Sequence, residues 1–301
     1  MRCQNSPFTV VLLIGTLWDL NFIWQDDLTR TPFVHRLLLM EHVRQPAVAG
    51  AFYPSSPELI RAQIQEFMGL AAEVQWQAKA LVVPHAGYIY SGPIAAQAYQ
   101  SLTALGSTPS RVILLGPSHR VPVRSMALPS ASSFLTPLGS VAIDHQAAKT
   151  LGSLEFVELS DEAHAFEHSL EVQLPFLQTI LGQDFQILPL VVGHASPEQI
   201  CQALELVTDK DSLIVVSTDL SHYLSYRLAQ SVDQETVSAI LKFQSDVIEP
   251  NRACGAYPLK GLMKYAQKMG WKPELLDLRN SGDTAGDKDR VVGYGALLYH
   301  E

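Results

Sequence analysis

Three short, mostly apolar runs set the pattern of the chain: Ala80–Val83, Arg111–Leu115 and Leu213–Val216. Runs of this length without polar alternation predict strands of a parallel sheet, covered on both faces. Each run leads into a histidine. The first is followed by Pro84-His85-Ala86-Gly87-Tyr88, the second by Gly116-Pro117-Ser118-His119, and the third by Ser217-Thr218-Asp219-Leu220-Ser221-His222. The C-terminal edge of such strands is where open α/β sheets bind ligands. One histidine there could simply satisfy loop backbone. Three at equivalent positions predict side chains converging on one crevice.

The remaining pattern alternates helix with strand. Leu59, Ile60, Ile64, Phe67 and Met68 have helical spacing behind Ser55 and Glu58, which have the spacing of a capping box. A helix is expected from about Gly92 to Leu102, with Pro93 in its first turn. Ser125–Leu128 and Leu138–Ile143 read as short strands, and Asp144 as the cap of a helix ending near Leu151. From Glu167 a longer helix is expected, with Leu170, Leu174, Leu177 and Leu181 as its apolar stripe and a kink at Pro175. Gln186–Val192 reads as a strand and Ser196-Pro197-Glu198 as a helix start. Helices follow at about Ala229–Phe243 and Leu259–Met269, then strands near Glu274–Leu278 and Val291–Tyr299. This order predicts one α/β domain over residues 43–301, a mostly parallel central sheet flanked by helices.

Residues 1–42 do not follow that pattern. Their apolar run, Phe8–Trp18, is shorter than the roughly 20 residues a membrane span requires. Only Arg2 precedes it, and no small-x-small cleavage site follows, so a secretory signal is disfavoured. The segment reads as an N-terminal extension, or as a start assigned too early, with Met40 an alternative.

Composition narrows the function. The 301 residues carry a formal net charge of −9 and no basic block, which argues against nucleic acid and membrane surfaces as partners. Cys3, Cys201 and Cys254 are too scattered for a disulfide framework, so a reducing, cytoplasmic setting is expected. No phosphate-binding Gly-x-x-x-x-Gly-Lys loop, dinucleotide Gly-x-Gly-x-x-Gly or Gly-x-Ser-x-Gly elbow is present.

The candidate site is therefore His85, His119, Asp219, His222 and Cys254, with Glu167, His168 and Glu171 as additions. Imidazole and thiolate suit iron, copper or zinc, and ligands this far apart in sequence fit a fold-assembled metal centre better than a zinc finger. Cys254 precedes an expected helix, whose N-terminus favours thiolate; it could equally be a small buried hydrophobe. Asp219 and His222, three apart, could be ligands, orienting groups or an acid/base pair, or Asp219 could cap a helix at Ser221. Glu167, His168 and Glu171 offer acid/base chemistry, or form a solvated first helical turn. Tyr53, Tyr88, Tyr90 and Tyr257 line a pocket or the edge of the core.

Taken together, Pro84-His85-Ala86-Gly87-Tyr88, Gly116-Pro117-Ser118-His119, Glu167-His168-Ser169-Leu170-Glu171, Ser217-Thr218-Asp219-Leu220-Ser221-His222 and Cys254-Gly255 resemble the successive motifs of the Memo family. The resemblance spans about Val43–Tyr299 and is to the prokaryotic branch, the AmmeMemoRadiSam system protein B group. It implies a fold like that of class III extradiol dioxygenases (LigB-like). It also implies a metal held by His85, His119 and Cys254, with Asp219 and His222 close by. Cysteine at the third ligand position, where extradiol enzymes use a carboxylate, argues against ring cleavage and points to Fe(II) or copper redox chemistry. Asp219, His222 and His168 would then move protons, with Glu171 a further catalytic candidate. AMMECR-type and radical-SAM proteins are the partners the resemblance implies, and a small molecule or peptide the substrate. The alternative is a non-catalytic module that binds a peptide or partner in the same pocket.

Overall fold

The structure, a computed structural model, describes residues 42–103 and 108–301; the N-terminal extension lies outside them. The first half of the described chain holds β1 (Val43–Arg44), α1 (Pro57–Leu70), β2 (Ala80–Val83), α2 (Tyr88–Tyr99), β3 (Arg111–Pro117), β4 (Met126–Leu128), β5 (Ser133–Thr136), β6 (Gly139–Ala142), α3 (His145–Leu151) and β7 (Val157–Leu159). Then come α4 (Asp161–Ala165), α5 (Leu174–Leu181), β8 (Gln186–Val192), α6 (Pro197–Val207), β9 (Ser212–Ser217) and β10 (His222–Leu224). The chain closes with α7 (Tyr226–Leu241), α8 (Ala256–Met269), β11 (Lys272–Asn280) and β12 (Val291–His300).

The central sheet runs β10-β12-β2-β9-β3-β8-β4-β7, with β11 paired to β12. Its middle is parallel, β2 with β9, β9 with β3, and β3 with β8. On either side it turns antiparallel, at β2 with β12 and at β8 with β4. The sheet is therefore mixed around a parallel centre. A small second sheet, β1-β5-β6, flanks it.

Alternation along the central strands divides the core between two faces. Leu81, Val83, Val112, Leu114, Val215 and Leu298 pack with α1, α2 and α5. Ala80, Val82, Ile113, Leu115, Val216 and Leu297 pack with α3, α6, α7 and α8. Burial on both faces is why these strands are apolar at every position rather than at every second one.

Several boundaries differ from the sequence reading. Helix α2 begins at Tyr88, one turn before Gly92, so Pro93 lies inside it. Gly92 is needed for packing: a Cβ there would sit 2.3 Å from the Phe67 ring. The cap of α1 is Ser56, not Ser55. Leu138–Ile143 belongs to a hairpin of β5 and β6. No continuous helix runs from Glu167. Helix α4 stops at Ala165, a turn carries 166–170, and α5 starts at Leu174 with Pro175 in its first turn, where proline costs no hydrogen bond and makes no kink. Gly116 lets that turn sit directly on β3, because a Cβ would lie 2.6 Å from Ser169 Oγ. The helix cap considered for Asp219 is also absent, since the following residues form β10. Asp144 does cap α3, and Ser196 caps α6 in a capping box with Gln199.

Candidate metal centre

Strands β2, β9 and β3 lie side by side in parallel, so the loops after them open on one edge of the sheet. The loop after β2 carries His85, that after β3 carries His119, and that after β9 carries Asp219 and leads to His222. Helix α2 leaves β2 for one face, whereas α7 packs on the other through Val237 and Ile240. Chains departing to opposite faces open a crevice between adjacent strands. Here the cleft has a volume of about 630 Å³, and His85, His119, His168, Asp219 and His222 line it.

Cys254 does not line the cleft itself, but its Sγ lies 3.3 Å from Nε2 of His85, which does. The ligand atoms of His85, His119 and Cys254 all fall within 4.8 Å of one another. Cys254 comes from outside the strand ends, two residues before α8. Its position is fixed through Asp219, whose N–H donates to Sγ at 3.2 Å and whose carbonyl accepts from Cys254 N at 3.2 Å.

Both imidazoles have their outer nitrogen occupied. Ser217 donates its one hydroxyl hydrogen to Ser169 O at 2.5 Å and accepts from Gln173 Nε2 at 2.8 Å. His85 Nδ1, 2.9 Å from that hydroxyl, must therefore be the donor, which leaves the Nε2 lone pair facing Cys254. Glu167 does the same for His119. Its Oε1 accepts from His119 Nδ1 at 2.9 Å, His168 N at 2.9 Å and Ser169 N at 2.8 Å, and its Oε2 accepts from His119 N at 2.6 Å. A neutral imidazole held this way presents Nε2 as a lone pair, the state a metal ligand requires. His119, Glu167 and His168 form a second cluster of metal-ligating groups. The Glu167 carboxylate there already accepts from four N–H groups, so it serves as a tie rather than a ligand.

Burial sets the charge states. It holds the His85 imidazole well below its usual range, with His119 and His168 adding to the effect, and holds His168 at about 4. Burial opposes the charge on Glu167, but the hydrogen bonds from His119 Nδ1 and from the main-chain N–H groups of His119 and Ser169 hold its carboxyl at about 2. Burial pushes the Asp219 carboxyl up to about 7, against the N–H of His85 that donates to its Oδ1 at 2.8 Å. It lowers His222. The Cys254 thiol is pushed up to about 12 by burial and by Asp219, contrary to the lowering expected from a helix N-terminus. The cysteine stands ahead of the helix start in a desolvated corner, so metal binding there would have to displace a proton.

Four of the residues singled out from sequence lie elsewhere. Glu171 is fully buried and faces away from the cleft, bound to Arg44, Ala47 N at 2.7 Å, Val48 N at 3.0 Å and Tyr53 Oη at 2.6 Å. Tyr53 thus belongs to that network, Tyr88 donates to Val172 O at 2.7 Å in the core, and Tyr257 pairs with His194. Tyr90 does line the cleft. Sequence reasoning missed Ser217 and Gln173, which set the His85 tautomer, and Phe52, whose ring lies 4.7 Å from that of His168. It also missed Tyr223, at the cleft wall with φ of +58°, a strained conformation for a non-glycine residue. Ser217 stands within a quoted motif, but nothing in a linear pattern distinguishes a serine that orients a histidine from one that ends a strand.

Among the described residues no helix is long and apolar enough to cross a membrane. A family model described as Memo-like protein matches residues 44–298. A MEMO1 family protein of Sulfolobus acidocaldarius is 37% identical over 282 residues, covering 85% of this chain and 99% of its own length. MEMO1 family proteins of Aquifex aeolicus (35% over 268 residues) and Nitrosopumilus maritimus (34% over 275 residues) match with the same coverage. With similarity of this extent running through the strands and loops that build the cleft, the chain belongs to the Memo-like family.

Proposed function

We propose that this protein is a metal-dependent oxidoreductase in which His85, His119 and Cys254 hold iron or copper. What carries the reading is that ligand atoms of His85, His119 and Cys254 fall within 4.8 Å of one another, with each imidazole oriented at Nδ1 by a partner of its own. Two nitrogens and a sulfur form a donor set suited to Fe(II) or copper. Bound there, such an ion would supply one-electron redox chemistry.

The chain's own residues supply the rest. Asp219, with its carboxyl near 7, can hold or release a proton at neutral pH beside the ligand group. His222, half-buried at the cleft wall, and His168 are the other proton carriers within reach of a bound molecule. Phe52, Tyr90 and Tyr294 line the cleft with aromatic surface, which suits a small organic substrate or a peptide side chain. The absence of a basic block speaks against nucleic acid, and the scattered cysteines favour a cytoplasmic setting. AMMECR-type and radical-SAM proteins are the partners proposed.

The test is metal content by elemental analysis of protein purified without oxygen, wild type beside Cys254→Ala and His119→Ala. The expected result is about one iron or copper per chain in the wild type and a loss in both variants. No metal in the wild type, with no uptake of added Fe(II) or Cu(I), would overturn the reading. The cleft would then be treated as a peptide- or partner-binding pocket.

A further inference from the structure

The segment from Arg44 to Tyr53 lies outside the central sheet, yet it touches two of the loops that build the cleft. Arg44 is buried and directs its guanidinium at the end of α4 and the turn beyond it. Its Nε donates to His164 O at 3.0 Å and its Nη2 to Glu167 O at 2.5 Å. The first carbonyl lies in the last turn of α4, where it also accepts from Glu167 N at 3.4 Å, and the second lies in the turn beyond the helix. Its Nη1 pairs with Glu171, the far end of the same turn. Glu171 in turn accepts from Ala47 N, Val48 N and the Tyr53 hydroxyl, so the segment and the turn are closed into one buried network. The residue before Tyr53, Phe52, packs its ring on His168 and accepts at its carbonyl from Tyr88 N at 2.7 Å, pinning the loop that carries His85.

We infer that Arg44 is a positioning residue for the metal centre, acting through the turn at 166–170. Main-chain bonds tie the far side of the turn, from Val172 N to His168 O and from Gln173 N to Leu170 O, whereas at its start Arg44 holds the main chain of Glu167 while Glu167 holds the ring of His119. Letting the turn relax would break the His119 Nδ1–Glu167 bond, and with it the tautomer that leaves Nε2 free. This inference rests on the metal-site reading for its effect on affinity, but not for its effect on the His119 ring.

The variant to make is Arg44→Met together with Glu171→Met. It replaces a buried ion pair by apolar side chains of similar length and leaves no unpaired charge, at the cost of the hydrogen bonds that Ala47 N, Val48 N and the Tyr53 hydroxyl make to Glu171, which Arg44→Lys keeps. Arg44→Lys, which keeps the charge beside Glu171 but lacks the planar fork, is measured beside it. The first readout needs no metal: the proton NMR signal of His119 Nδ1–H, assigned by its loss in Glu167→Ala. A strongly hydrogen-bonded imidazole N–H resonates far downfield and exchanges slowly. The second readout is Fe(II) or Cu(I) affinity by chelator competition.

In the double variant and in Arg44→Lys, the expected result is a cooperative thermal transition, loss or broadening of the His119 signal, and affinity weakened about 10- to 100-fold, as when a group orienting a ligand is removed. A folded variant with the His119 signal intact would overturn the inference. If the wild type binds neither metal, the oxidoreductase reading fails, and the NMR signal still decides the role of Arg44. If the double variant does not fold, Arg44→Lys carries the comparison alone.

Discussion

Glu167 and Glu171 are four residues apart, both buried and both saturated with donors, yet they serve different parts of the molecule. Glu167 lies behind the cleft lining and holds His119 by its ring and its main chain. Glu171 faces the other way and binds Arg44, two backbone N–H groups and a tyrosine. In a continuous helix this spacing would have put them on one face. The turn between α4 and α5 sends them to opposite sides. One carboxylate therefore orients a candidate metal ligand, while the other secures the turn that carries the first. A buried carboxylate is tolerated in each place because each accepts four hydrogen bonds.

The largest effect expected from breaking this pair is on stability. Glu171→Ala strands the Arg44 guanidinium in the core, with two N–H groups and the Tyr53 hydroxyl unpartnered, and should cost about 3–5 kcal/mol in urea unfolding. A loss below about 1 kcal/mol would show that the network is not structural.

Acid gives the next largest effect. The pKa values of His164 and His168 are depressed to about 4, so between pH 6.5 and 4 the unfolded chain takes up protons that the folded one refuses. Stability is then lost as pH falls through that window, on the order of 3 kcal/mol for each histidine at about 1.36 kcal/mol per unit. Asp219, raised to about 7, acts in the opposite sense, gaining stability as pH falls from 7 toward 3.8, and offsets part of the loss. Glu167, depressed to about 2, contributes fully above pH 4.5 and loses its contribution as pH falls from there to 2. Thermal midpoints should therefore drop by the equivalent of a few kcal/mol from pH 7 to 4, then fall again below 4.5. In Glu167→Gln the second fall should shrink, the remainder coming from Asp144, Asp161 and Asp209, whose carboxyls are also held low; an undiminished fall would assign it to those groups.

Glu167→Gln sharpens the contrast further. It removes the charge that orients His119 while leaving Arg44 and Glu171 untouched. Metal affinity should weaken about 10- to 100-fold, with a smaller stability loss than in Glu171→Ala. Equal losses of stability in the two variants would mean that the carboxylates do the same job. Ser217→Ala is the mildest test. It takes the acceptor from His85 Nδ1 and leaves Gln173 a free donor, a cost of about 1 kcal/mol and a several-fold loss of metal affinity by chelator competition.

Part of the geometry of this candidate site is legible in linear form. The strands that carry His85, His119 and Asp219 are apolar through their interiors because both faces are covered, and that pattern needs no tertiary information to read. Cys254 was recognised as a candidate by its type and its place before a helix, although its high thiol pKa follows from desolvation that only packing creates. The Glu167–Glu171 stretch misled because Leu170, Leu174, Leu177 and Leu181 are spaced for a helix. They are buried instead through a turn, a short 3-10 segment and α5. Hydrophobic spacing reports which residues are buried, not whether the backbone between them is continuous.

The amino-acid sequence by itself determined the α/β class, the parallel centre of the sheet and the strand ends where the histidines emerge. Apolar runs and their terminating prolines and glycines act within a few residues. Tertiary structure alone decided that β2, β9 and β3 are neighbours and that Cys254 meets His85 across 169 positions of sequence. It also decided that Ser217 and Glu167 fix the histidine tautomers and that Arg44 lies behind them. Those contacts join residues far apart in the chain, and their energies depend on burial and on the direction of hydrogen bonds, which no local pattern encodes.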